Sequence, residues 1–573
     1  MSRKSLSDRA LAFLAGVHAR RVLGRVMADA RNATATQERV LLGHIRANTD
    51  SAYGREHDFA SIRSYEDFVE RIPISTYADL SPWVERVKAG DLRAMFGGRQ
   101  RVHMFAMSSG TVDRPKYVPV TERFLKDQRA GWNAFGSKAL QDHPGCMLRS
   151  ILQVTSPMDE ETTSAGYPCG AITGIMAATQ KKIVLRYYPA PLCVAYISDS
   201  FARYYTIMRL AIPADVAWIV TASPATVLKL AKTGDEQAES IIRDVRDGTL
   251  NEELSVPGNV RDALAPRLTP DREAARRLDR IRSRTGHLRP KDYWNLGFLA
   301  NWTGGTMGLY LREYAAWFGD VPVRDIGLIA TEGRMSIPLE DGTPAGVLAV
   351  SSNFYEFIPA AERDGADPVT FRSHEVAEGE EYFILLTTAA GFYRYDISDC
   401  IRVVGFEGQA PVIEFLHKGE HVGSIAGEKI TEHQVVLAFE RASADVGVDV
   451  AEFVLAPRWA DPPYYRLYLE VPHGDDREGL VDRLAGACDE ELRRLNIEYA
   501  SKRSSGRLGL IQAGVVAGGV LKELDRHRAG RYRQANEQYK HQYLYTRPGE
   551  DEELAGRLRG VCGVDHTDRA EIA

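Results

Sequence analysis

At 573 residues the chain is longer than one hydrophobic core accommodates, so two or more domains are expected. Hydrophobic residues at 44% and charged residues at 26% are ordinary for a folded protein and exclude a polar, disordered chain. Lys plus Arg at 72 against Asp plus Glu at 78 leaves a net charge of -6, which argues against a polynucleotide or an anionic membrane as partner.

The stretch from Arg3 to Arg31 is rich in Arg and Ala and poor in acids, the composition of a transit peptide. Its apolar residues Leu11, Leu14, Val17 and Val22 recur at helical spacing, which favours a packed helix instead. No apolar run approaches membrane-spanning length, so a soluble protein is expected. The six cysteines, Cys146, Cys169, Cys193, Cys400, Cys488 and Cys562, include no close pair and read as reduced thiols in a cytoplasmic protein.

After two N-terminal helices, the segment from Tyr53 to Arg101 mixes polar loops with apolar pieces such as Phe68 to Ile74 and ends on the turn Gly97-Gly98. From Arg101 to about Gly405, short apolar runs (Val102 to Met107, Val216 to Thr221, Ile326 to Ala330, Gly346 to Val350) alternate with longer amphipathic stretches, which is α/β patterning. Ser223 to Arg289 holds helical periodicity, and Phe383 to Phe406 alternates around Gly391 like an antiparallel hairpin.

Beyond Phe415 the pattern becomes a helix (Glu432 to Ser443), two strands (Val450 to Ala456, Tyr464 to Val471), a long helix (Arg477 to Asn496) and a strand (Leu508 to Val516), a compact α+β module. The polar stretch His417 to Gly427, with three glycines, is the expected joint. The predicted division is 1–416, a hinge at 417–427, and 428–573.

Three motifs carry chemistry. Ser108-Ser109-Gly110-Thr111, followed by Lys116, supplies small hydroxyls, backbone N–H groups and a mobile cation for a triphosphate; the alternative is a polar turn leading into a helix that starts near Thr121. It is not a Walker loop, and the similar Gly423 to Thr431 fails because Glu428 separates Gly427 from Lys429. At Thr331-Glu332-Gly333, ending an apolar run, Glu332 suits Mg²⁺ and Thr331 a nucleotide, the alternative being an ordinary strand-ending turn. In Tyr393 to Arg402, Asp399 has two oxygens for the two hydroxyls of a ribose, or is a surface Asp in a hairpin turn.

In this order the motifs resemble the plant auxin-responsive acyl acid amido synthetases, the Gretchen Hagen family of the luciferase-like adenylate-forming superfamily. The resemblance extends through Tyr53-Gly54-Arg55 with Phe59, Phe68 to Tyr77, Asn353-Phe354-Tyr355-Glu356-Phe357-Ile358-Pro359, Tyr393 to Phe406 and Gln538-Tyr539-Lys540. It implies a large N-terminal adenylate-forming domain of β-sheets packed with helices, part of it β-barrel-like, and a small mobile C-terminal α+β domain. It also implies that Ser108, Ser109, Gly110, Thr111 and Lys116 contact phosphates, that Thr331, Glu332 and Gly333 serve the nucleotide and Mg²⁺, and that Asp399 holds the ribose. Thr121 and Arg402 complete the expected ATP contacts, with Lys116, Glu332 and Lys540 as the catalytic set. Lys540 is the cation expected to stabilise charge on the α-phosphate as pyrophosphate leaves.

Three departures stand out: Ser398 where the family usually has Gly, Thr331 where it has Ser, and Arg334-Met335-Ser336 where plant members commonly have aromatic residues. Gly166, Gly170 and Thr173 lie where the family binds its amine acceptor, such as an amino acid; a surface loop is the equal alternative. Trp218, Ile219, Trp302, Tyr310, Met335 and Phe354 are candidates for the acyl pocket, against plain core, and Gly304-Gly305 for backbone approach to the adenine. The expected reaction joins a small carboxylic acid to an amine through an acyl-AMP. A thiol acceptor (coenzyme A or a carrier protein) and a non-enzymatic scaffold are the competing readings. The Arg-heavy composition and the missing plant-type acceptor loop point to a bacterial-type homologue in specialised metabolism. Nothing in the sequence bears on oligomeric state.

Overall fold

The computed structural model describes residues 6–98, 100–108, 115–363, 365, 368–419, 422–426, 428–448, 450, 452–470, 477–531 and 541–561. The chain separates into two compact units, Met1–Phe415 and Leu416–Ala573.

The first unit opens on the helices Leu6–Arg31 and Ala33–Ala47. Two shorter helices follow, each started by a capping box that satisfies its first N–H groups: Ser64 with Asp67 for Tyr65–Arg71, and Thr76 with Asp79 for Tyr77–Lys88. They pack on a seven-stranded sheet ordered Ser336–Ile337, Gly346–Leu348, Ala410–Lys418, Tyr395–Glu407, Glu381–Thr387, Phe354–Pro359 and Phe371–Arg372. Phe68, Phe105, Tyr355, Phe357, Ile384 and Tyr393 fill the core between them.

A second, four-stranded sheet is parallel throughout: Ser150–Gln153, Val216–Val220, Phe298–Ala300 and Val323–Arg324. Every residue of Val216–Val220 is buried, because helices cover both faces. Ser200–Ala211, Pro224–Glu236 and Ala238–Asp247 lie on one side through Met208, Leu230 and Ile241; Glu122–Asp142 lies on the other through Phe135 and Ala139.

The Phe383 to Phe406 hairpin is present as the strands Glu381–Thr387 and Tyr395–Glu407, with Gly391 at φ +83° in the connection. It is not regular. Phe383 pairs with Cys400 and Leu385 with Asp396, so Ile384 lies opposite Ile397, Ser398 and Asp399 together. This bulge turns Asp399 out of the plain alternation and places Ser398 at φ +60°. The run Ile326 to Ala330 is strand only at Ile329–Ala330, because Gly327 at φ +91° breaks the extended backbone.

The second unit is a four-stranded sheet, Phe453–Arg458, Tyr464–Glu470, Gln512–Val516 and Leu558–Val561, with the helices Glu432–Val446, Arg477–Leu495 and Val520–Arg531. Its third strand starts at Gln512 rather than Leu508: the Leu508 and Gly509 N–H groups bond to the Lys502 and Pro463 carbonyls, outside any ladder. Among the described residues no helix is long and apolar enough to cross a membrane.

Candidate active site

Lys116 begins the strand Lys116–Thr121, paired antiparallel to Val102–Ser108 with Lys116 opposite Ser108. Ser109, Gly110 and Thr111 lie outside the described residues, as does Lys540. The strand is fixed by Tyr77, at the start of its helix: the Tyr77 hydroxyl accepts the Tyr117 N–H at 2.7 Å and donates to the Tyr117 carbonyl at 3.3 Å. The Lys116 Nζ stands 5.9 Å from the centroid of the Tyr77 ring.

From Tyr77 the contacts continue through aromatic edges to Phe392, at 6.4 Å, and from Phe392 to Tyr395, at 5.0 Å. The Tyr395 hydroxyl donates to Glu332 Oε1 at 3.3 Å. Lys116 and Glu332, from separate motifs, thus stand at the two ends of one packed file of side chains. Burial pushes the Tyr77 phenol up to about 12, and burial together with the Glu332 carboxylate raises Tyr395 further. Both phenols therefore stay protonated and act as fixed hydrogen-bonding groups near neutral pH.

Glu332, 6% exposed, lies in the turn joining Ile329–Ala330 to Gly333–Arg334. Gly333 lets Asn353 pack close, since a Cβ there would come within 2.9 Å of Asn353 Nδ2 and force that side chain to shift. The next residue, Arg334, is buried: its Nη1 donates to the Ile326 and Ser336 carbonyls at 2.8 and 3.1 Å, and its guanidinium lies 4.6 Å from the centroid of the Trp132 ring. Its stem occupies the space left by Gly131, where a Cβ would collide with Arg334 Cδ.

Asp399 is buried in the bulge. The neighbouring Asp396 pairs with Arg363 and accepts the Ser398 N–H at 2.7 Å, while Arg363 also donates to Ser398 Oγ at 3.3 Å. Beneath the Gly304-Gly305 turn lies Asp325, also buried, which takes the Thr303 N–H at 2.6 Å, the Thr303 hydroxyl at 2.8 Å and the Gly327 N–H at 2.7 Å. Burial raises its carboxyl to about 6, against the pull of these donors and of the Gly304 N–H.

Several residues expected at the site are occupied elsewhere. Thr121 caps the Glu122–Asp142 helix: its hydroxyl accepts the Phe124 N–H at 3.1 Å and donates to the Ala389 carbonyl at 2.9 Å, at 0% exposure, leaving no free group for a nucleotide. Arg402 bridges Glu381 at 2.7 Å and Glu414 at 3.2 Å. Trp218 and Ile219 are consecutive in a strand and so face opposite sides; Trp218 stacks on Phe298 at 4.9 Å while Ile219 joins the helical core behind the sheet. They do not share a pocket wall. Met335 and Phe354 belong to the main core, Phe354 packing against the edge of Phe68 at 6.0 Å.

In the loop expected to meet the amine acceptor, Gly170 is pressed against Met158, where a Cβ would lie 2.5 Å from its carbonyl carbon, and Thr173 Oγ1 accepts the Ser156 N–H at 3.3 Å. Both dock the loop onto the 156–158 segment. Gly166, at φ +85° with open space around it, is the member left presentable. Trp302 is half-buried, with Nε1 donating to the Gly327 carbonyl at 3.0 Å.

Sequence models of one family match the chain in three consecutive blocks: the GH3 family N-terminal domain at residues 22–323, the central domain at 346–418 and the C-terminal domain at 433–548. The chain belongs to the GH3 family. The resemblance drawn from its motifs is thereby borne out. Among similar GH3 proteins, the jasmonoyl–L-amino acid synthetase JAR4 of Nicotiana attenuata is 26% identical over 87% of this chain and 89% of its own length. The indole-3-acetic acid-amido synthetase GH3.2 of Arabidopsis thaliana is 24% identical over 84% and 93%. The solved structure of the GH3.15 acyl acid amido synthetase superposes with a TM-score of 0.81 over 93% of this chain and 96% of its own, at 18% identity, which establishes the common fold.

Among the described residues no cluster of three or more His, Cys, Asp and Glu side chains could cage a metal ion. A single carboxylate at Glu332 fits Mg²⁺, which is commonly held by one or two carboxylates with the phosphates of the substrate supplying the rest. Tyr77 closes the Phe68 to Tyr77 segment of the resemblance with no role assigned to it, and Asp325 lies in none of the motifs; the roles of both emerge only from partners distant in the chain.

Proposed function

We propose that this GH3 chain is an ATP-dependent acyl acid amido synthetase, acting on a small carboxylic acid and an amine such as an amino acid. The observation that carries this reading is the packed file from Lys116 through Tyr77, Phe392 and Tyr395 to Glu332, which puts a phosphate-seeking cation and a metal-suited carboxylate on one framework.

In the first step an oxygen of the substrate carboxylate attacks the α-phosphorus of ATP; the new P–O bond forms as the bond to pyrophosphate breaks, leaving acyl-AMP. In the second, the amine nitrogen attacks the acyl carbon, AMP departs with the electron pair of the broken C–O bond, and the nitrogen proton passes to solvent or base. Such chemistry is mostly positioning and charge stabilisation. Lys116 supplies positive charge beside the phosphates, and Tyr77 fixes the strand that carries it. Glu332 would hold Mg²⁺, which when bound neutralises phosphate charge, and Tyr395 orients that carboxylate. Asp399 accepts the ribose hydroxyls from its bulge, and Lys540 is the further cation that the family resemblance assigns. The described cysteines are all unpaired, which supports a cytoplasmic setting.

ATP–pyrophosphate exchange across a panel of aryl and alkyl acids tests the first step, with Lys116→Ala, Glu332→Gln and Lys540→Ala as controls. Exchange with at least one acid that the substitutions abolish is the expected result; no exchange with any acid and no ATP binding would sink the reading. Offering amino acids and coenzyme A to the loaded enzyme separates amide from thioester formation, and amide product is expected.

A further inference from the structure

Asp325 is a buried carboxylate with an unusual set of partners. Burying a carboxylate is costly unless its oxygens are hydrogen-bonded. Here the donors at hydrogen-bond distance are the Thr303 N–H and hydroxyl and the Gly327 N–H, which belong to two loops separated in the chain. A second strut joins the same loops, since Trp302 Nε1 donates to the Gly327 carbonyl at 3.0 Å. Asn301 braces the first loop from behind: its Nδ2 donates to the Trp302 carbonyl at 2.7 Å and its Oδ1 accepts the Tyr314 hydroxyl at 2.8 Å.

The first loop runs into Gly304 and Gly305, where a side chain is disfavoured for two different reasons. A Cβ at Gly304 would press on Pro344 Cβ at 3.1 Å, and Gly305 has φ +62°. The loop therefore presents bare peptide groups, which suit close contact with a flat, hydrogen-bonding ring. The second loop runs from Gly327 through Ile329–Ala330 to Thr331 and Glu332. One carboxylate thus ties the bare peptide surface to the segment bearing the metal-suited Glu332.

We infer that Asp325 is a positioning residue for nucleotide selection, holding the Thr303–Gly305 loop against the Gly327–Glu332 run so that the loop's backbone reads the purine base of the triphosphate. The inference rests on the proposed use of ATP and adds how the base, as distinct from the phosphates, is selected. Asp325 itself touches no substrate; it acts through the loop it holds.

The experiment compares binding of ATP and of inosine triphosphate, which keeps ribose and phosphates but carries an oxygen in place of the adenine amine, to the full chain by calorimetry. Asp325→Asn keeps size but leaves one carbonyl oxygen where two carboxylate oxygens served all the donors. It is expected to weaken ATP binding about tenfold while leaving inosine triphosphate nearly unchanged, so that the preference for ATP collapses. Thr303→Val leaves the carboxylate in place and removes one donor, and is expected to shift the preference in the same direction by a smaller factor. A purely structural role would weaken both nucleotides equally. Equal weakening, or an unchanged preference in both variants when the wild type prefers ATP, overturns the inference and leaves the proposed function standing. A wild type that binds ATP without preference also overturns the inference alone, whereas a wild type that binds neither nucleotide overturns the reading on which it rests.

Discussion

The Tyr77 hydroxyl holds both backbone polar groups of Tyr117, accepting from its N–H at 2.7 Å and donating to its carbonyl at 3.3 Å. One phenol on a helix thereby fixes the strand residue beside Lys116. Removing it leaves a part-buried N–H without its acceptor, at a cost of about 1–3 kcal/mol. Tyr77→Phe is expected to lower stability by that amount in urea and to reduce pyrophosphate exchange about tenfold or more, with Lys116 itself intact. Full activity in Tyr77→Phe would show that Lys116 does not depend on this anchor.

Tyr395 and Glu332 make a weaker pair, at 3.3 Å. Tyr395→Phe keeps the ring packed on Phe392 and removes only the donor, so a loss of about threefold to tenfold in exchange rate is expected, with a higher Mg²⁺ concentration needed for half-maximal rate. Glu332→Gln should cost far more than Tyr395→Phe. The reverse order in parallel Mg²⁺ titrations would remove Glu332 from its proposed role.

Ser398 occupies the left-handed region at φ +60° inside the bulge. Glycine relieves a penalty of about 1–2 kcal/mol but loses chain entropy of about 0.5–1 kcal/mol, so Ser398→Gly should leave stability nearly unchanged. Ser398→Val, with a branched Cβ in the same conformation, should destabilise by about 2 kcal/mol or more and weaken nucleotide binding through Asp399. Thermal melts of the two variants decide it; equal effects would contradict the role given to the backbone angle.

In the second unit, His541 places Nδ1 2.7 Å from Asp525 Oδ2 and Nε2 2.9 Å from the Phe453 carbonyl. Oxygen acceptors on both nitrogens are satisfied together only by the doubly protonated ring. Burial disfavours that cation, but the hydrogen bond and charge of Asp525, with the Phe453 carbonyl and Glu452, outweigh it, and the pKa is raised above 6.5. The resulting stabilisation is fully present below 6.5 and is lost as pH rises through the folded-state value. Urea midpoints should therefore fall on the alkaline side in the wild type, and His541→Phe should flatten that slope. A slope that survives the substitution would assign it to another group.

The motifs were legible where residue type alone limits the chemistry: a lysine after a hydroxyl-rich loop and a carboxylate closing an apolar run. They were illegible where one residue type serves two purposes. Thr121 has the hydroxyl that a phosphate contact needs, but the same hydroxyl is what a helix start needs, and the helix takes it. Trp218 and Ile219 looked like neighbours in a pocket, but adjacency along a strand puts them on opposite faces. Tyr77 and Asp325 bond to residues 40 and 22 positions away in the chain, which no local pattern reveals. The hairpin around Gly391 was evident from its alternation; the bulge that carries Asp399 was not, because the extra residues appear only once the opposite strand is aligned.

The missing Cβ at Gly131 and the buried stem of Arg334 also constrain how this sequence drifts. Alanine at 131 is excluded while arginine occupies 334, since the two would overlap. A lineage that keeps the arginine over Trp132 is thus committed to glycine in the middle of a long helix, accepting about 1 kcal/mol of lost helix propensity for as long as it does so. Substitution at 334 has to come first, and only afterwards is the helix free to recover that stability.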